Sequence, residues 1–505
     1  MTQADLLALG PFLALTAGAM VLTLVIALKR DHGLAALTAA ASLVAALGAI
    51  GPSLDVAPRA VTALVRIDAM GLLFCGLFLV TALATVPLSW RYLEPRRGVR
   101  EEFHLLLLLA TLGAMTLAVA THFASLLLGL EILSIALYPL IAYPERGRKP
   151  LEAALKYLVL SGAASSMLLF GMALIYADTG ALTFADVAAR STEQGGGLLF
   201  TLGALLLFTG LAFKLSLVPF HMWTPDVYQG APAPAAAYLA TVGKAAVIAL
   251  VLRLVLGTGL LADDALFTVL SLIAGLSMIV GNLLALQQPS VKRMLAYSSI
   301  AHLGYLLVAV LALETAADHL MAAEALIVYA VAYVVMTFGA FAIIAVLSAE
   351  TLATERAAEE DSTVDFDADA LTHYAGLFWR RPWVATVFTA MLLSLAGIPL
   401  TAGFIAKFYL FAAGVDARLW VLLWLLVIGS GIGLFYYLRL VFTMTRDPEP
   451  AANGPSVEAD ARAEALSEAD ALQGSWLLGG LLFALLLIGI HPAPLIELVR
   501  AALGG

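Results

Sequence analysis

The sequence holds 505 residues, 62% hydrophobic and 12% charged, about half the charged share of an ordinary soluble domain. With apolar runs of 20 residues or more, this reads as a polytopic membrane protein and excludes a string of soluble domains. The formal charge of −9 is carried largely by two acidic stretches, Glu350 to Asp369 and Asp447 to Asp470, which hold 15 of the 36 acids. Nothing in the chain is basic enough for a nucleic-acid partner, and the single Cys75 excludes a disulfide framework, a four-cysteine iron–sulfur site and a cysteine-based zinc site within it.

In chain order the hydropathy predicts fourteen crossings, at roughly 6–28, 34–51, 69–89, 103–120, 122–143, 152–177, 198–220, 233–256, 265–286, 296–313, 320–348, 385–413, 418–443 and 475–495. The first is long and follows no basic segment, so it reads as a retained span and not a cleaved signal. Only Thr121-His122-Phe123 separates the fourth and fifth, which requires a tight hairpin. The whole chain, 1–505, is then one all-α integral membrane domain, with acidic cytoplasmic loops at 349–384 and 444–474.

Orientation follows from the basic residues outside the spans. Alternate loops hold 16 of the 27 Lys and Arg on one side and five on the other. By the positive-inside rule the richer side is cytoplasmic, so both termini lie on the outer, periplasmic side of a bacterial inner membrane.

Spans seven and twelve are interrupted. The first reads Phe213-Lys214-Leu-Ser-Leu-Val-Pro219-Phe-His221 and the second Ala396-Gly397-Ile398-Pro399-Leu-Thr-Ala-Gly403-Phe-Ile-Ala-Lys407, with the prolines 180 residues apart. Five spans separate them, so the units 103–256 and 265–443 form two inverted five-helix repeats with broken helices at matching places, a pattern that points to an ion path. Two unrelated proline kinks are the plainer reading.

Six basic residues fall inside spans: Lys156, Lys214, Lys244, Arg253, Lys407 and Arg439. The two arginines lie near helix ends and are expected to snorkel to the headgroups. Glu131 and Lys244 are mid-span, where a charge costs from about 3 to well over 10 kcal/mol. Lys214 falls towards the cytoplasmic half and Lys407 towards the outer half, so with Lys244 they make a ladder; Lys156 sits about one turn inside the edge, where snorkelling serves equally well. Four of the seven lysines are in the membrane but only two of the twenty arginines. That bias favours proton carriage, because a desolvated lysine can release its proton and an arginine cannot. A Glu131–Lys214 pair about 4 Å apart would be worth about 4 kcal/mol at an effective dielectric near 20 and could switch the lysine between states.

Weaker features surround this set. His221 follows the first break and fits either an entry route or a plain loop histidine. His302 is inside span ten, where a satisfied core histidine is the plainer reading than a relay. Glu324 and His319 lie near a helix start and read as solvated. Gly429-Ser-Gly431-Ile-Gly433 lies in an apolar span and reads as close helix packing, not a nucleotide loop. No Walker, haem or dinucleotide motif is present, so the energy source lies outside this chain.

Three stretches carry a resemblance: Phe213 to Pro232 (FKLSLVPFHMWTPDVYQGAP), Lys292 to Tyr305 (KRMLAYSSIAHLGY) and Leu395 to Phe408 (LAGIPLTAGFIAKF). They resemble the antiporter-like subunits of respiratory complex I, the proton-translocating NADH:quinone oxidoreductase, most strongly over 100–445. A lysine at Lys407, where M-type subunits carry glutamate, and an end at span fourteen without the lateral helix of L-type subunits resemble the N type. The resemblance implies Glu131 and Lys214 as a coupling pair, Lys244 as central relay, Lys407 as outer carrier and Lys156 as the span-six lysine. It also implies that this chain holds no cofactor, that NADH, FMN, the iron–sulfur clusters and quinone belong to partner subunits, and that the neighbours are the M-type subunit and small subunits such as K and J in the lipid bilayer. Two other readings compete: a subunit of a multisubunit cation/proton antiporter, which shares these motifs, and a stand-alone transporter, which would want a hydrogen-bonding pocket in place of lysines.

Overall fold

The computed structural model describes residues 2–96, 98–143, 148–194, 197–358, 367–446 and 476–504, with side chains also left undescribed at 194 and 350–358. The expected loop at 444–474 lies almost wholly outside the described residues, as does part of that at 349–384.

The chain opens with α1 (Gln3–Ala8) and α2 (Gly10–Leu28), then α3 (His32–Gly48) and α4 (Ile50–Leu54). A hairpin of β1 (Arg59–Thr62) and β2 (Val65–Ile67) precedes α5 (Ala69–Leu93), α6 (Glu101–Ala118), α7 (Phe123–Ala142) and α8 (Arg148–Thr179). Next come α9 (Phe184–Gln194), α10 (Leu198–Lys214), α11 (Trp223–Gly230), α12 (Ala233–Thr258), α13 (Asp264–Leu286), α14 (Val291–Thr315) and α15 (His319–Ala358). The remainder is α16 (Leu377–Arg380), α17 (Pro382–Ala396), α18 (Ala402–Asp416), α19 (Trp420–Thr445), α20 (Trp476–Ile490) and α21 (Ala493–Gly504).

Polar residues placed just ahead of apolar runs start these helices. The side chains of Asp31, Asp68, Asp263 and Ser290 each accept a backbone N–H of the first turn, satisfying donors that have no helical partner. Eleven helices among the described residues are long and apolar enough to cross a membrane; α10 and α17 are apolar but shorter, and α20 bends by 81° into α21. The expected last span therefore stops at Ile490, and α15 continues to Ala358, ten residues past its expected end.

α12, α14 and α15 are enclosed by other helices and form the middle of the bundle. Their sequences fit that place, being apolar all round and rich in Ala, Ser and Tyr. α2, α3 and α8 turn Met20, Leu24, Leu37, Val159 and Phe170 outward, as lipid- or subunit-facing helices do.

Three charged residues differ from expectation. Arg253 does not snorkel: it is buried and makes a bidentate pair with Asp68 at 2.6 and 2.8 Å, while its Nε donates to the Ala118 carbonyl. Arg439 donates to the Leu286 and Gln288 carbonyls, capping the end of α13. Glu324 is not solvated but buried, and Arg500 of α21 donates to it at 2.9 Å. In each case a backbone end or an opposite charge was nearer than the headgroups, a tertiary fact that hydropathy cannot show.

A buried polar strap closes the end of the bundle where the basic residues gather. Lys292 donates to Asp367 and to the Ala231 carbonyl at 2.6 Å, and Tyr92 donates to Asp367 at 2.5 Å. Arg96 lies 3.5 Å from the same carboxylate. Burial alone would raise the Asp367 carboxyl, but the charges of Lys292 and Arg96 outweigh it and hold it below the usual carboxylate range. A carboxylate depressed in the folded state stabilises at neutral pH and loses that contribution as the pH falls through its folded value. We expect the hydrogen-exchange protection of 367–374, relative to the intrinsic rate at each pH, to be high at neutral pH and to fall in acid. Asp367→Asn should open the strap at neutral pH and flatten that dependence, since stranding Lys292 costs about 3–5 kcal/mol.

Candidate functional site

α10 and α17 each end inside the bundle, and each leaves terminal carbonyls without helical donors. α10 stops at Lys214, and the next helix, α11, starts only at Trp223. Between them Ser216 is buried with φ of +60°, a left-handed conformation that non-glycine residues hold only when their surroundings enforce it. The strain is useful locally, because it puts the Ser216 hydroxyl within 2.5 Å of both Lys244 Nζ and Thr224 Oγ1. Lys244, from the middle of α12, also donates to the Lys214 carbonyl at 2.7 Å and lies 4.6 Å over the Trp223 ring. The C-terminal carbonyls of α10 thus present the negative end of a helix dipole to a buried ammonium.

The second break repeats the arrangement. α17 ends at Ala396, Gly397 turns with φ of +88°, and Leu400 has φ of +72°. Lys407 Nζ, from α18, donates back to the Ala396 and Leu395 carbonyls at 2.9 and 3.2 Å, and sits 5.4 Å from the Tyr305 ring. Gly403 is required there, since a Cβ would overlap the Ser394 carbonyl. Its N–H instead donates to Ser394 Oγ at 3.0 Å.

The other expected residues divide. Lys214 is buried and donates to Ser134 and Ser161 at 2.6 and 2.7 Å, with Tyr138 donating to Ser161 at 3.0 Å. Glu131 is half-buried and accepts from Ser165 at 2.7 Å. The direct Glu131–Lys214 contact expected at about 4 Å is therefore not formed; two serines satisfy the amine, and the carboxylate is taken up by α8. Lys156 is 41% exposed and pairs with Glu152 and Asp226 at 2.7 and 2.8 Å, apart from the buried set, while Asp226 also holds Arg293 at 2.6 Å. His221 is buried, 6.5 Å from the Tyr297 ring, and its Nδ1 has no hydrogen-bond partner.

Between the two breaks lies a hydroxyl-rich band that sequence reasoning missed. Tyr333 donates to the Ala240 carbonyl, one turn before Lys244, and pairs with Ser299 at 2.6 Å. His302 Nδ1 meets Tyr329 Oη at 2.7 Å and its Nε2 meets Tyr437 Oη at 3.4 Å, so it is a satisfied core histidine. Tyr437 also bonds Ser298, and Asn282 donates to Tyr305 beside Lys407 at 2.8 Å. A signal existed: Ser298, Ser299, His302 and Tyr305 repeat at three and four residues, as do Tyr329 and Tyr333. Gly429 lets α19 approach this band closely, whereas Gly431 faces open space, so the Gly-x-Gly-x-Gly run packs through only part of its length. Among the described residues no group of three or more His, Cys, Asp or Glu could hold a metal ion.

Buried lysines that cap free carbonyls at helix ends, inside a bundle of long apolar helices, place the chain among polytopic membrane subunits. Residues 120–433 match the family described as NADH:quinone oxidoreductase/Mrp antiporter, TM. The chain is 46% identical to NADH-quinone oxidoreductase subunit N of Ectopseudomonas mendocina, covering 99% of this chain and 97% of that one. It is 32% identical, with a TM-score of 0.78, to a chain of respiratory complex I from Thermus thermophilus solved with bound aureothin, covering 97% and 99%. A chain of the Mrp complex from Dietzia sp. shares the fold at a TM-score of 0.82 but only 19% identity, covering 99% and 97%. The chain belongs to this antiporter-like membrane-subunit family, in its branch of NADH-quinone oxidoreductase N subunits.

Proposed function

We propose that this chain translocates protons as the N-type membrane subunit of NADH:quinone oxidoreductase, through a relay of Glu131, Lys214, Lys244 and Lys407 joined by serine and tyrosine hydroxyls and water. One observation carries the reading: at each of two helix breaks, a lysine amine caps the carbonyls that the break set free. Such an amine can give up its proton to a neighbouring hydroxyl or water, after which polar groups, not hydrocarbon, still surround it. The serines around Lys214 supply one side of the relay, and the Tyr333–Ser299 pair near Lys244 with the Asn282–Tyr305 pair beside Lys407 supplies polar groups towards the other. Lys156 and His221 stand at its margins as entry groups.

In this reading the fourteen crossings include α10 with its break, α17 joined to α18, and α20. The units 103–256 and 265–443 are inverted repeats, and both termini face the periplasm of a bacterial inner membrane. The loops at 349–384 and 444–474 are cytoplasmic. NADH, FMN, iron–sulfur clusters and quinone reside on partner subunits, with M-type, K and J subunits as neighbours. Redox steps there drive proton movement here. The high identity to an N subunit favours this assignment over a cation/proton antiporter.

The test is Lys407→Ala in the assembled complex, reconstituted in vesicles. We expect normal assembly, with quinone reductase activity and proton pumping each lowered by about a hundredfold, the lower end of the range for a lost proton-transfer group. Wild-type pumping in this variant would reject the relay.

A further inference from the structure

At the basic end of the bundle, α2 and α6 leave a groove of about 520 Å³ with Ile26, Leu28 and Leu105 on its walls and Arg30 and Glu102 at its mouth. Arg30 is shared with a second pocket of about 370 Å³, whose lining includes His32, Trp90, Glu94, Arg100 and Glu101. An apolar groove alongside a helix thus shares Arg30 with a polar chamber at helix termini, the depth of lipid headgroups.

The charges of the groove and the chamber are paired but not saturated. Arg30 meets Glu102 at 2.9 Å, yet the second Glu102 oxygen is buried with no partner. Arg100 Nη1 meets Glu94 at 3.3 Å, yet its Nε is buried with no partner. His32 is 8% exposed, lies between the rings of Trp90 and His104, and bonds Glu94 through Nδ1 at 3.1 Å, leaving Nε2 unpartnered. Buried polar atoms without partners call for an occupant, and here they are Arg100 Nε and His32 Nε2 at the chamber and Glu102 Oε2 at the groove. An anion alone would satisfy the guanidinium and imidazole but would face Asp31, Glu94 and Glu101. An ammonium alone would face Arg30 and Arg100.

We propose that this groove and chamber bind one phospholipid of the phosphatidylethanolamine class, its phosphate on Arg30, Arg100 and His32, its primary ammonium on Glu94 and Glu101, and an acyl chain along Ile26, Leu28 and Leu105. A choline headgroup fits less well because its methylated nitrogen donates no hydrogen bond to the carboxylates. An anionic headgroup fits less well because it leaves those carboxylates unpaired. A free phosphate leaves the apolar groove empty.

The test uses the intact purified complex and phosphatidylethanolamine, phosphatidylcholine and phosphatidylglycerol, each carrying a photoreactive group in one acyl chain. Wild type should label peptides containing Ile26, Leu28 or Leu105 with the ethanolamine lipid about tenfold more than with the other two, the discrimination one charge-assisted hydrogen bond provides. Glu94→Gln with Glu101→Gln should erase the preference over choline while keeping basal labelling, and Arg30→Gln with Arg100→Gln should abolish labelling by all three lipids. The size of each variant complex, read by native mass spectrometry, confirms that it has assembled. Equal labelling by the three lipids, preference for phosphatidylglycerol, displacement by inorganic phosphate, or no labelling because a partner subunit covers the groove would each overturn the proposal.

Discussion

Lys244→Arg is expected to assemble a complete complex that reduces quinone and pumps protons about a hundredfold more slowly than wild type, or worse. The substitution keeps a positive charge and donors for the Lys214 carbonyl and the Ser216 hydroxyl, so a purely structural role would survive it. What it removes is the ability to release the proton, since arginine remains protonated at any accessible pH. The larger guanidinium must also fit beside Trp223, so Lys244→Ala is the companion variant. Alanine leaves the α10 carbonyl and the strained Ser216 without their donor, and it should match arginine in lost pumping while differing from it in thermal stability. A Lys244→Arg complex that pumps like wild type would make this lysine a structural ion, however severe the alanine phenotype.

Gly403→Ala should damage the second break more than any other single methyl. The added carbon would overlap the Ser394 carbonyl, which is backbone and cannot swing away. α18 would have to move off α17, drawing Lys407 from the Leu395 and Ala396 carbonyls. Overpacking of this kind costs about 1–3 kcal/mol or more. We expect a lowered unfolding temperature together with loss of pumping similar to that of Lys407→Ala. Gly431→Ala, on α19 where nothing lies within 4 Å of the new carbon, should leave both unchanged. Equal behaviour of the two alanines would mean that the tight turn at Gly403 does not position Lys407.

Much of the fold was legible because lipid demands long apolar runs, and the helix starts at α5, α13 and α14 followed polar caps visible in the chain. The β1–β2 hairpin, the amphipathic α9 and the bend into α21 were not foreseen, because they are short and lie outside the hydropathy signal. Lys214, Lys244 and Lys407 were legible for a different reason: a mid-span charge is costly enough to need an explanation. Their partners were not. Lys244 is capped by a carbonyl from thirty residues earlier, which only the turn at Ser216 makes available. Arg253 and Glu324 were misread for the same reason, since Asp68 and Arg500 reach them from distant sequence. The supposed pair of Glu131 with Lys214 at about 4 Å is not formed; Glu131 is half-buried and accepts from Ser165.

The most direct measurement is an infrared difference spectrum of the complex with nitrogen-15-labelled lysine, recorded between resting and turning-over states. The account predicts isotope-sensitive ammonium bands that change during turnover, with the component due to Lys244 missing in Lys244→Arg. Lysine bands that stay constant through turnover, in a complex that is pumping, would contradict it.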